Sequence, residues 1–148
     1  MKRFLTRLLI VLGLVAGLAP TQAALLAPAA TASASNCEWA PGGSLARHCL
    51  HVNGTGTYVN WAKESYTTNW GGTNICNYAA KWNAWKQGTA GYVMKYSTVT
   101  TSCNVLVASK TTYQHTGYFT HGSRFCGWWR SDNTGGRWTS SNCITIKR

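Results

Sequence analysis

Six cysteines, Cys37, Cys49, Cys76, Cys103, Cys126 and Cys143, all lie beyond position 36, and they constrain the fold more than any other feature. An even set with no Cys-x-x-Cys pair, downstream of an export signal, reads as a disulfide framework rather than a metal or redox site. Six cysteines allow 15 connectivities. The pairs Cys37 with Cys49, Cys76 with Cys103 and Cys126 with Cys143 each close a modest loop and are the expected bridges, contributing about 2 to 4 kcal/mol apiece by restricting the unfolded chain.

The export signal is the first segment. Lys2, Arg3 and Arg7 make a positive start, and Leu8 to Leu18 is apolar except for Gly13 and Gly17, the pattern of a secretory signal peptide. The run falls short of the roughly 20 apolar residues that span a bilayer, so stable membrane insertion is not expected. Small residues mark two cleavage sites, after Ala23 and after Ala34. The second is the better match and divides the chain into a signal peptide at 1–34 and a single secreted domain at 35–148. Cutting after Ala23 would leave Ala27 to Ser35 as a flexible N-terminal arm. Cleavage after Ala34 removes three of 14 basic residues and none of three acids, leaving +8 of the formal +11. Such a surface concentrates any polyanion without selecting among them.

Beyond Cys37 the chain has little helix vocabulary. Thr, Tyr, Trp, Val, Gly and Asn recur in short blocks broken by turn residues. Leu50 and Val52 alternate with His51 and meet Asn53-Gly54, a hairpin-type turn, before Thr57 to Trp61 resumes an extended pattern. Asn53-Gly54-Thr55 also matches a glycosylation sequon, but turn chemistry accounts for it. Gly71-Gly72 breaks the chain again. Cys76 to Trp85 fits both periods and is read as a strand because its neighbours are strands and Gly88 closes it. Further strands are expected at Gly91–Val99, Cys103–Ala108, Thr112–Thr120, Arg124–Arg130, Gly136–Thr139 and Cys143–Lys147. The expected fold is all-β: a compact antiparallel β-sandwich or barrel of seven to nine short strands with three disulfides.

Proton-handling groups are few. Past the signal there are three acids, Glu38, Glu64 and Asp132, and four imidazoles, His48, His51, His115 and His121. Three scattered acids do not make a glycosidase pair, and there is no Gly-x-Ser-x-Gly elbow. His48 and His51 would fall on opposite faces of a strand, so no metal or other cofactor is expected. A small secreted ribonuclease working through two histidines such as His115 and His121 is the least implausible enzyme; the chain is nonetheless read as non-enzymatic.

The stronger signal is aromatic. All eight tryptophans follow the signal, and Trp82, Trp85, Trp128, Trp129 and Trp138 stand beside Lys81, Lys86, Arg130 and Arg137. On a strand Trp128 and Trp129 must point to opposite faces, one core and one outward. Asp132 to Gly136 is a turn-rich loop, so Trp128-Trp129-Arg130 and Arg137-Trp138 are expected to face each other across a hairpin. Trp128, Trp129, Arg130, Arg137 and Trp138 are the candidate binding residues, since exposed tryptophan beside a cation suits sugars, bases or a protein partner.

Gly54-Thr55-Gly56-Thr57-Tyr58-Val59, the aromatic strand Tyr78 to Trp85 and the closing Cys143-Ile144-Thr145-Ile146-Lys147 resemble small exported actinomycete β-proteins, over most of residues 47–147. The resemblance extends to the adaptor subunit of umbrella toxin particles, secreted antibacterial assemblies in which an adaptor bridges a long toxin chain to lectin-like subunits. It implies other secreted protein subunits as partners and carries no catalytic residues. The alternative is a free-standing cationic antimicrobial protein binding anionic cell-wall polymers or glycans; nucleic acid is not an expected partner.

Overall fold

The computed structural model describes residues 33–68 and 73–148. The expected signal peptide, apart from Ser33 and Ala34, and the break at Gly71-Gly72 lie outside the described residues. Among those described, no helix is long and apolar enough to cross a membrane.

Eleven short strands, rather than seven to nine, form an antiparallel β-sandwich. One sheet joins β1 (Ala34–Trp39), β2 (Arg47–Thr55), β3 (Tyr58–Thr67) and β8 (Val107–Thr112), with β9 (Gly117–Tyr118) also paired to β3. The second runs in the order β11 (Asn142–Thr145), β10 (Arg124–Arg130), β5 (Ala79–Ala84), β6 (Val93–Tyr96). A small ladder pairs β4 (Asn74–Ile75) with β7 (Asn104–Val105). Inward residues alternate with outward ones along β2 and β10, as a half-buried strand requires.

Several boundaries differ from the sequence reading. The β2–β3 turn is Gly56-Thr57, two residues past Asn53-Gly54, because a bulge at that dipeptide keeps the strand running; Gly56 takes the positive φ of 56° that such a turn needs. The expected strand Cys103–Ala108 splits at Leu106, whose φ of 67° no strand accommodates. The expected strand Thr112–Thr120 is divided between the last residue of β8 and the short β9, since the chain turns at Tyr113–Thr116, where the Thr116 hydroxyl donates to the Tyr113 carbonyl. Gly136–Thr139 is not a strand at all.

The disulfides pair Cys37 with Cys49, Cys76 with Cys103 and Cys126 with Cys143, as loop length favoured. The first and third join directly opposed residues of neighbouring strands. The second occupies the next step of the β4–β7 register, beyond Ile75 and Asn104. Every bridge therefore staples one ladder, and none crosses between the two large sheets. Three bridges suit an oxidising environment.

The sheets are joined by their core. Trp129 stacks between Tyr66 and Tyr78, with ring centroids at 5.9 and 5.3 Å, and His115 lies edge-on to Phe125 beside Phe119. In the middle, His48 Nδ1 and Glu64 Oε1 share a hydrogen bond at 2.6 Å, both side chains wholly buried. Burial pushes the Glu64 carboxyl above its ordinary value, and the hydrogen bond and charge of His48 pull it back. Gly127 of β10 covers the pair: a Cβ there would lie 2.2 Å from Glu64 Oε2 and 3.2 Å from Leu50 Cδ1. Gly127→Ala is expected to cost about 3 kcal/mol in urea unfolding, whereas Gly91→Ala, where nothing lies within 4 Å, should leave stability within about 0.5 kcal/mol. Equal effects would mean that Gly127 has no special place.

Burial also holds the His115 ring far below its ordinary pKa of 6.5, at about 4. The folded value is depressed, so between those values the unfolded chain binds more protons than the native one. Stability is unaffected by this group above about pH 6.5, falls as pH drops, and by about pH 4 has lost about 3 kcal/mol. Unfolding free energies measured from pH 7 to 4 should show this decline, reduced in His115→Phe; parallel curves for the two proteins would refute it.

Candidate functional site

Each residue expected to bind can now be placed. β10 carries Arg124, Cys126, Trp128 and Arg130 on its outer side and Phe125, Gly127 and Trp129 inward. The tryptophan pair is thus divided, as expected. Trp129 is 0% exposed and belongs to the core, not to a binding surface; Trp128 stands half-buried on the outer face of the four-stranded sheet.

The hairpin expected to oppose Trp128 and Trp138 is built differently. The partner of β10 is β11, in register from Arg124 with Thr145 to Gly127 with Asn142, and the connection between them folds back over the sheet. A turn of 3₁₀ helix at Asp132–Thr134 begins it. The Thr134 hydroxyl donates to the Arg137 carbonyl at 2.7 Å, and Gly135 and Gly136 adopt φ near +64° and +69°. Thr139 N then donates to the Trp129 carbonyl at 2.8 Å, while Trp129 N donates to Thr139 Oγ1 at 3.0 Å. With its neighbour pinned from both sides, Trp138 is laid against the outer face.

Two residues that the sequence reading did not select complete the cluster. Lys81 of β5 is directly opposite Trp128 and also opposite Tyr96 of β6. Its Nζ lies 4.9 Å from the centre of the Trp128 ring and 4.8 Å from that of Trp138. The Arg130 guanidinium lies 5.0 Å over Trp138, and the Tyr96 ring, 59% exposed, meets Trp138 edge-on at 6.3 Å. The result is a ladder of ring, cation, ring, cation. Burial lowers the Lys81 pKa from its ordinary value, and among the described residues no carboxylate pairs with this ammonium. Arg137 is exposed at the rim.

Catalytic groups do not converge in this way. His48 and Glu64 are sealed in the core. His51 faces outward from the other sheet, as the spacing from His48 implied, and its pKa is lowered by burial and by Lys63. His115 is buried; exposed His121 accepts a hydrogen bond from Arg148 N. No group of three or more His, Cys, Asp or Glu placed to hold a metal occurs among the described residues. An open depression of about 280 Å³ lies near the N-terminal strand, lined by His51, Asn53 and Trp61. It is on the sheet opposite the ladder.

Compared with models of protein families, with curated proteins and with solved structures, the chain matches none. The ladder must therefore be judged by its own geometry.

The two adjacent tryptophans give a direct test of that geometry. Trp129→Ala is expected to lose about 3 to 5 kcal/mol of stability, as a large core truncation does. Trp128→Ala should shift Tm by a few degrees at most, because its half-buried ring is held by one cation–π contact, with Lys81, of about 0.5 to 1 kcal/mol at a surface site. Thermal melts of both variants decide it, and equal destabilisation would place Trp128 in the core as well.

Proposed function

We propose that this chain is a secreted, non-enzymatic interaction module, an adaptor subunit of an extracellular antibacterial toxin complex that bridges a long toxin chain to lectin-like subunits. Its contact surface is the outer face of the four-stranded sheet. The observation that carries this reading is the ladder of Trp128, Lys81, Trp138 and Arg130, displayed on a rigid sheet stapled by Cys126–Cys143. Rigid aromatic anchors dominate the energetics of protein interfaces, and a surface ordered before contact loses less entropy on binding. The short segments resembling exported actinomycete proteins direct the choice of partner, and the sealing of His48–Glu64 leaves the surface without a paired acid and base.

A second reading, a free-standing binder of wall polymers or glycans, draws on the exposed rings of Tyr96, Tyr92 and Trp85. Purification of tagged protein from culture fluid separates the two. An adaptor should emerge with a large polypeptide and bind insoluble cell wall only through that partner; a lone monomer that binds wall directly would support the second reading and end the first. In the adaptor case Trp128→Ala should weaken capture by about 2 kcal/mol, roughly 30-fold. Undiminished capture by this variant would move the contact surface elsewhere.

A further inference from the structure

The outer face does not end at the ladder. Arg124 is four residues along β10 from Trp128, about 13 Å away at strand spacing, and its backbone N donates to the Tyr92 hydroxyl. The Tyr92 ring lies 5.8 Å from that of Trp85, and both are exposed. A second aromatic and cationic group thus stands at the opposite end of the same face. Between the two run Met94, Asn83 and the Cys126–Cys143 bridge, aligned by strand register.

The cations of this face have no ion-pair partner. Lys81, Arg124, Arg130 and Arg137 make no salt bridge; among the described residues the one such pair is His48–Glu64. Of the three acidic side chains in the whole sequence, Glu64 is sealed in the core, Glu38 of β1 accepts a hydrogen bond from Ser140 and Asp132 one from Asn77. A row of unpaired cations on a surface rich in apolar rings is complementary to carboxylates.

Resting on the reading that this face is the docking surface, we infer that its occupant is an acidic, extended polypeptide segment of the partner, lying along β5 and β10 from the Trp138 end to the Trp85 end. Arg124 and Arg130 mark a track of about 20 Å, and an extended chain places like-facing side chains about 7 Å apart. Carboxylates at alternate positions would therefore reach Arg124, Lys81 and Arg130, with one step over the Cys126–Cys143 bridge between the first two. One observation favours a peptide over an acidic polysaccharide: each tryptophan of the ladder already has a cation over its ring, where a stacking sugar would sit.

Fluorescence anisotropy with the exported protein tests this, using a labelled peptide that alternates Glu with Ser, its Gln-for-Glu counterpart, hyaluronan oligosaccharides and single-stranded DNA. The Glu peptide should bind saturably and the Gln peptide should not. Arg124→Gln and Arg130→Gln should each weaken binding roughly tenfold, while Lys63→Gln, on the outside of the other sheet, changes nothing; near-UV circular dichroism verifies that all three variants are folded. Tighter binding of hyaluronan or DNA than of the peptide, or an equal loss in Lys63→Gln, would overturn the inference. Capture of the native partner tells which level failed: loss with Trp128→Ala but not with Arg124→Gln keeps the face and rejects the acidic occupant, and no loss with either rejects the face itself.

Discussion

The buried pair of His48 and Glu64, held between neighbouring strands of the five-stranded sheet, is the group over which the second sheet settles, through Gly127. All three disulfides act within one ladder each, so they cannot set one sheet over the other. That task falls to side chains that cross the interior. A carboxylate in an apolar core costs several kcal/mol unless it is paired, and its pairing here is confined to one geometry: His48 on β2 to one side and the bare Cα of Gly127 on β10 above. Asn142 of β11 supplies the polar crossing between the sheets, its Nδ2 donating to the carbonyls of Asn36 on β1 and His48 on β2. Sliding of the sheets is penalised twice over, since it would leave the Asn142 amide buried and unpaired and bring a side chain against Glu64 in place of Gly127.

The outer face of the four-stranded sheet follows from that constraint. If Gly127 must sit above Glu64, the alternation of β10 sends Phe125 and Trp129 inward and Arg124, Trp128 and Arg130 outward. A slip of one residue would exchange the sets; it would put two arginines into the core and the side chain of Cys126 or Trp128 against the carboxylate. The same register sets Lys81 opposite Trp128 and Tyr96 opposite Lys81. A polar contact at the centre of the domain thereby fixes which tryptophan the solvent meets, on the far side of the strand from the contact itself.

How much of this the sequence made legible depends on the range of the signal. Strand character is local, so β10 could be delimited residue by residue and its two tryptophans assigned to opposite faces. The bridges were legible because each closes a short loop between neighbouring strands. Turns were harder: Asn53-Gly54 has the composition of a hairpin turn, yet a bulge absorbs it and Gly56-Thr57 does the turning. The site was half legible. Trp128, Arg130, Arg137 and Trp138 advertise themselves by clustering in sequence, but Lys81 and Tyr96 reach the ladder through cross-strand register, which no local pattern carries. Trp129 matched the same composition and proved to be core, because face and not residue type decides exposure. The pairing of Glu64 with His48 across two strands left no trace in the sequence beyond a scarcity of acids.

That scarcity shapes the surface as well. A lone lysine or arginine on a sheet explores many rotamers, and holding one in place costs up to about 2 kcal/mol of side-chain entropy. In the ladder Lys81 is already held between two rings and Arg130 against one, each contact contributing about 0.5 to 1 kcal/mol. The free protein has therefore lost much of the entropy that binding would otherwise remove. The rings serve the cations as much as the reverse: they partly desolvate the ammonium of Lys81, which depresses its pKa, and supply no carboxylate to relieve it. An incoming acidic group would meet a charge that is oriented, partly stripped of water and unpaired. The coupling of such a pair exceeds that of a fully solvated one, so on the proposed docking surface an acidic group would be held most tightly where ring and cation alternate rather than evenly over the positive charge.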